Sequence, residues 1–161
     1  MALSQTLLNN VELALHELNC NRYERDDQNG IFSFTLDTQT TEIPNLEFFM
    51  SVNENYLQIF GLLPLLVDVN NLTTVCRVIE FLKIVNADIN FKKFTYVPYN
   101  GAIELKHSPY AIAQAQTKKT YPLIMGKLLS VRETVKTYAP GLLAVVSQGE
   151  TPREAFAKCR L

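Results

Sequence analysis

Apolar residues recur along the chain at two rhythms, one helical and one extended. Leu3, Leu7, Leu8, Val11, Ala14, Leu15 and Leu18 stand three and four apart and predict an amphipathic helix over 4–19. The pattern fades at Asn19-Cys20-Asn21-Arg22, and the polar run Glu24–Gln28 leads into the tight-turn pair Asn29-Gly30. Ile31–Leu36 then alternates at period two, with Phe32, Phe34 and Leu36 on one strand face. After the polar connection 38–44, Leu46, Phe48, Met50 and Val52 share a face, with Glu47, Phe49 and Ser51 opposite. A short turn at Asn53-Glu54-Asn55 opens a third strand, Tyr56–Leu63, which Pro64 ends or places at an edge. Three strands joined by short turns predict an antiparallel meander.

Helical spacing returns with Leu72, Val75, Val78, Ile79, Leu82 and Val85, behind N-cap candidates in Asp68-Val69-Asn70-Asn71. Phe91–Val97 and Ala102–His107 read as a hairpin around Pro98-Tyr99-Asn100-Gly101, with Phe94, Tyr96, Ile103 and Leu105 on one face. The stretch Ser108–Lys119 reads as a loop or a short helix. A long helix opens at Thr120 and Pro122 and buries Leu123, Ile124, Leu128, Leu129, Val135 and Tyr138; Pro140-Gly141 is expected to break or kink it. Leu142–Val146 makes a short helical piece, and Thr151-Pro152-Arg153-Glu154 starts a last helix reaching about Lys158. The order α-β-β-β-α-β-β-α-α gives an α+β fold with about five antiparallel strands flanked by helices.

Composition narrows the class without naming a task. With 161 residues, 47% hydrophobic and 19% charged, the chain suits a single globular domain over 1–161 and excludes disorder. The formal net charge is −1, but residues 1–60 carry 2 basic and 9 acidic groups while 118–161 carry 8 and 3. The acidic front and basic back are read as partly neutralising one another, so no nucleic acid is expected as partner. No basic leader and no apolar run near 20 residues is present, so no signal peptide and no membrane partner are expected. Three widely spaced cysteines, Cys20, Cys76 and Cys159, suit a reducing, cytoplasmic compartment.

Reaction signatures are missing, and no enzyme activity, cofactor or metal is expected. Gly126-Lys127 lacks the earlier glycine of a phosphate loop, since Tyr121 stands there. No Gly-x-Ser-x-Gly, His-Glu-x-x-His or Cys-x-x-Cys occurs. His16 and Cys20, four apart on the first helix, make half a metal site, and His16 is read as solvated or hydrogen-bonded. Cys76 reads as a small core residue, and Cys159 as a passive thiol at a frayed end. Alternation places His107 on the face opposite Glu104 and Lys106, so the three do not converge on one reaction centre. They read as an exposed hairpin edge, and Lys92 and Lys93 as edge protection.

The second face of the meander stands out. It carries Ile31, Phe49, Tyr56 and Phe60 among Ser33, Thr35, Ser51 and Gln58. A sheet in an α+β domain normally buries one face, so aromatics on the other mark either a partner surface or cover by a helix of the same chain.

Two local patterns carry a family resemblance. Val85-Asn86-Ala87-Asp88-Ile89-Asn90-Phe91-Lys92-Lys93-Phe94, ending near Asn100-Gly101-Ala102-Ile103, resembles the helix-to-hairpin crossing of YbjN-type domains. Tyr138-Ala139-Pro140-Gly141-Leu142-Leu143-Ala144-Val145-Val146, followed by Thr151-Pro152-Arg153-Glu154-Ala155, is similar to that family's C-terminal signature. The resemblance implies the class I type III secretion chaperone-like fold, a bacterial protein, frequent dimerisation, and binding of other proteins without chemistry. Members of the family are sometimes described as regulators of sensory transduction. The near-neutral chain departs from the acidic secretion chaperones. The expected function is therefore a non-enzymatic, chaperone-like or regulatory module, homodimeric, that binds a protein or peptide through Ile31, Phe49, Tyr56 and Phe60. The alternative is a small-molecule sensor or enzyme with a pocket between sheet and helices, lined by Tyr96, Tyr99 and His107.

Overall fold

A computed structural model describes residues 5–53, 56–111 and 120–159. Helix α1 (Gln5–Glu17) precedes four antiparallel strands, β1 (Tyr23–Asp26), β2 (Ile31–Asp37), β3 (Asn45–Val52) and β4 (Tyr56–Leu66). Helix α2 (Leu72–Asp88) crosses to the hairpin β5 (Lys92–Val97) and β6 (Ala102–His107), and the two-residue β7 (Tyr110–Ala111) follows. Helices α3 (Thr120–Gln148) and α4 (Pro152–Lys158) complete the described chain. The strands form one antiparallel sheet in the order β1-β2-β3-β4-β6-β5, with β7 pairing β4 beyond the end of β6. The class is α+β, as the patterning predicts.

Register separates the two faces. The row Phe34–Phe48–Gly61–Leu105–Phe94 runs across five strands, and every member is buried. Gly61 sits at its centre for a steric reason. A Cβ there would stand 3.2 Å from Val131 Cγ1 and 3.3 Å from Leu46 Cδ2, so the missing side chain lets α3 lie directly on the sheet. Helix α1 packs on α3, α4 packs on α2 and α3, and α2 also packs on β5. Asn10, buried in α1, accepts the Tyr121 N–H at 3.0 Å and so satisfies one of the open donors at the start of α3. Thr151 and Glu154 form a reciprocal capping box around the start of α4.

Several expectations are corrected. The sheet has six main strands rather than about five, because β1 was hidden in a charged run: Tyr23-Glu24-Arg25-Asp26 is an edge strand with only Tyr23 half-buried, and it shows no alternation. β7 was likewise too short to leave a period; residues 112–119 of the expected loop or short helix lie outside the described residues. Pro64 does not end β4, which continues to Leu66 through a register shift between Leu62 and Leu66, where a missing N–H costs no ladder bond. Pro140 does not break α3 either: the helix runs on to Gln148 because Ala139, Leu142, Ala144 and Val145 bury the turns on both sides. That burial outweighs a penalty of about 3 kcal/mol. On α2, Leu72, Ile79 and Cys76 are exposed, and the buried stripe is Val78, Phe81, Leu82 and Val85.

Candidate functional site

Alternation puts Ile31, Ser33 and Thr35 of β2 on the face away from α3, with Phe49 and Ser51 of β3 and Gln58, Phe60 and Leu62 of β4. Phe49 and Phe60 are direct cross-strand partners, and their row continues through Lys106 to Lys93. The next row is Thr35–Glu47–Leu62–Glu104–Thr95. On β2, β3 and the first part of β4 the residues facing the helices are buried, whereas this outer face keeps solvent contact. Tyr56 is 53% and Ile31 39% exposed, and Phe49, Phe60 and Leu62 are half-buried.

The two rings owe part of their cover to the hairpin turn rather than to a helix. Phe49, Phe60 and Leu62 line an open groove of about 420 Å³ together with Val97, Tyr99, Asn100, Ala102 and Glu104. Lys106 Nζ stands 5.2 Å from the centre of the Phe60 ring, a cation–π contact worth about 0.5–1 kcal/mol at an exposed site. The groove thus offers two ring faces, an aliphatic side chain, and charges of both signs at its margin. That is equipment for burying an apolar side chain and orienting it, with Glu104 and Lys106 available to charged groups flanking the apolar anchor.

The four expected contact residues do not form one contiguous cluster. Phe49 and Phe60 touch the groove, while Ile31 pairs with Ser51 and Tyr56 with Ala111, near the far ends of their strands. Six groove residues fall outside the expected contact set, and Tyr99 lines this outer groove rather than a pocket between sheet and helices. Leu62 was legible, two positions beyond Phe60 on the same face; Tyr99, 84% exposed overall, reaches the groove only through the turn geometry.

Tyr96, Tyr99 and His107 are not brought together. Tyr96 and His107 lie on the helix-facing side of the hairpin and Tyr99 on the outer groove. His107 is no exposed edge group: it is 6% exposed, and its Nδ1 bonds the Ser108 carbonyl at 2.8 Å. Lys92 is no edge guard either, since its Nζ donates to Ser130 Oγ of α3 at 2.6 Å. Both corrections have one cause: the ends of β5 and β6 run beneath α3, which hairpin patterning alone does not reveal.

His16 and Cys20 border one open cavity of about 600 Å³ beside α1. The Cys20 thiol is buried and faces the carbonyls of Arg22 and Thr35, and burial holds its pKa up, so it is a poor source of thiolate. Among the described residues no group of three His, Cys, Asp or Glu is placed to hold a metal ion. Cys159 is not at a frayed end: it packs against α3, its Sγ near the carbonyls of Tyr138 and Ala155, and burial raises its pKa. Among the described residues no helix is long and apolar enough to cross a membrane. No family model, curated protein or solved structure matches the chain.

Proposed function

We propose that the chain is a non-enzymatic interaction module, chaperone-like or regulatory and homodimeric, that receives a protein or peptide segment on the outer face of its sheet. The observation that carries this reading is the Phe49–Phe60 pair on the strand face away from α3, with charges of both signs at the groove margin. Full burial of a large apolar side chain is worth about 1.5–3 kcal/mol before ordering costs. Two half-buried rings therefore supply a moderate, reversible affinity. The YbjN-type, secretion chaperone-like resemblance points the same way, toward recognition rather than chemistry.

The test combines light scattering with capture from native lysate, using wild type and the double variant Phe49→Ser with Phe60→Ser. Both rings are outside the sealed core, so the variant is expected to stay folded, with a thermal midpoint lowered by the lost half-burial, while losing the dimer, the captured partner, or both. If both persist unchanged, the face assignment is wrong. A saturable thermal shift from a metabolite panel, with no protein partner, would favour the small-molecule reading.

A further inference from the structure

We propose that Lys92, His107, Lys127 and Ser130 form a second site, independent of the outer face, that binds a small tetrahedral oxyanion of the phosphate class. Three elements build it. The strand pairing opposes Lys92 of β5 directly to His107 of β6. Phe94 turns both its backbone groups outward, its N–H to Asn86 Oδ1 and its carbonyl to Asn86 Nδ2. Two residues along, Lys92–His107 is therefore also a pair without mutual ladder bonds, the class whose side chains approach most closely. The Ser108 N–H donates to the Phe91 carbonyl at 2.7 Å and holds this end of the hairpin closed. From above, α3 presents Lys127 and Ser130, three apart and on one helix face.

Charge in this corner is one-sided. Lys92 and Lys127 are half-buried, and among the described residues neither forms an ion pair with a carboxylate. Burial, and after it the charge of Lys127, lowers the Lys92 pKa. The charged groups acting on the His107 imidazole are again Lys127 and Lys92; burial is the largest influence on it, and the Ser108 carbonyl opposes the lowering. From β7, Tyr110 adds a ring face under Lys127 Nζ at 4.7 Å, and no charge. Bringing cations together out of water is unfavourable unless an anion compensates them.

The donors suit phosphate. Ser130 Oγ accepts from Lys92, which leaves its hydroxyl hydrogen to donate. The Nδ1 of His107 donates to a carbonyl, so Nε2 is the nitrogen that gains a proton and becomes a donor when an anion arrives. Two ammonium groups, a hydroxyl and an imidazole carried on β5, β6 and α3 match the several oxygens of a tetrahedral anion, whereas a flat carboxylate is better matched by the planar fork of arginine.

The test titrates the whole protein with inorganic phosphate and with glycerol 3-phosphate, against chloride at equal ionic strength, and follows thermal midpoint and calorimetric heat. A saturable effect of either ligand beyond chloride supports the site, and the tighter of the two identifies a free ion or a phosphoester as its source. Lys127→Gln and Lys92→Gln are each expected to weaken binding at least about tenfold. Lys93→Gln, one residue along but on the outer face, should leave it unchanged. Sulfate, whose charge is constant where histidine titrates, should bind more weakly as pH rises, and the His107 ring should show proton uptake by NMR on binding. No effect beyond chloride, or an equal loss in Lys93→Gln, overturns the proposal. So does preferential, steeply salt-dependent binding of a short oligonucleotide, which would assign the lysines to a polymer backbone.

Discussion

Two glycines of α3 should respond to the same substitution with opposite signs. Gly126 has no heavy atom within 4 Å of where a Cβ would stand. Gly126→Ala therefore gains only helix propensity and should stabilise the protein by about 0.5–1 kcal/mol. At Gly141 the same Cβ would collide with Cys159 Sγ, and would stand 2.6 Å from the Ala155 carbonyl oxygen and 2.9 Å from Phe81 Cζ. Ordinary contact needs about 3.5 Å, so the carbonyl must retreat by roughly 1 Å. It belongs to the backbone of α4, so the whole short helix has to move. Overpacking of this kind costs about 1–3 kcal/mol, at the upper end when backbone meets the new atom. Set against the propensity gain of about 1 kcal/mol, the net loss is about 1–2 kcal/mol, or roughly 2–8 °C in thermal midpoint for a domain this size. Urea unfolding of the two variants measures the difference. Thiol labelling in a Cys76→Ser background reports the displacement, because Cys159 packs between α3 and α4 and should react faster in Gly141→Ala. A Gly141→Ala protein as stable as wild type, with unchanged labelling, would refute the packing argument.

The remaining predictions concern the hairpin. Asn86→Ala removes both bonds that the amide makes to the Phe94 backbone, at 2.8 and 2.9 Å, and should cost about 1–3 kcal/mol by denaturant unfolding. It should also raise the hydrogen-exchange rate of the Phe94 amide; unchanged protection there would contradict the assignment. For His107, burial holds the folded-state pKa below 6.5, so the unfolded chain takes up the proton first as pH falls. Its contribution to stability should be complete above about pH 6.5, decline below it, and level off beneath the folded value. Unfolding in phosphate-free buffer should show that slope in wild type and not in His107→Gln, and a decline on raising pH instead would reverse the sign.

Strand faces were legible because a period of two survives in short windows. Phe34, Phe48, Ile59 and Leu105 each lie on the side their alternation assigns, and so do Phe49 and Phe60 on the other. What escaped reading lacks a periodic signature. β1 is a charged edge whose identity comes from its neighbour, and the persistence of α3 past Pro140 is decided by buried neighbours on both flanking turns. At the outer groove the rings of Phe49 and Phe60 are legible, but the pattern assigns Tyr99 to a pocket on the helix side, since a turn residue's direction depends on backbone angles. Burial at the Lys92–His107 corner escapes the pattern for a related reason: solvent exposure of a strand end depends on a later helix, where Ser130 stands 38 residues from Lys92.

On the proposed reading of the outer face, recognition and stability occupy alternate residues of the same strands. Exchanging an inward residue such as Phe48, which is fully buried, disturbs the packing of the core, while its half-buried neighbour Phe49 can vary at a smaller cost to folding. Such a scaffold can diversify its choice of ligand one odd-numbered position at a time on β3, and drift in specificity need not erode the architecture that presents it.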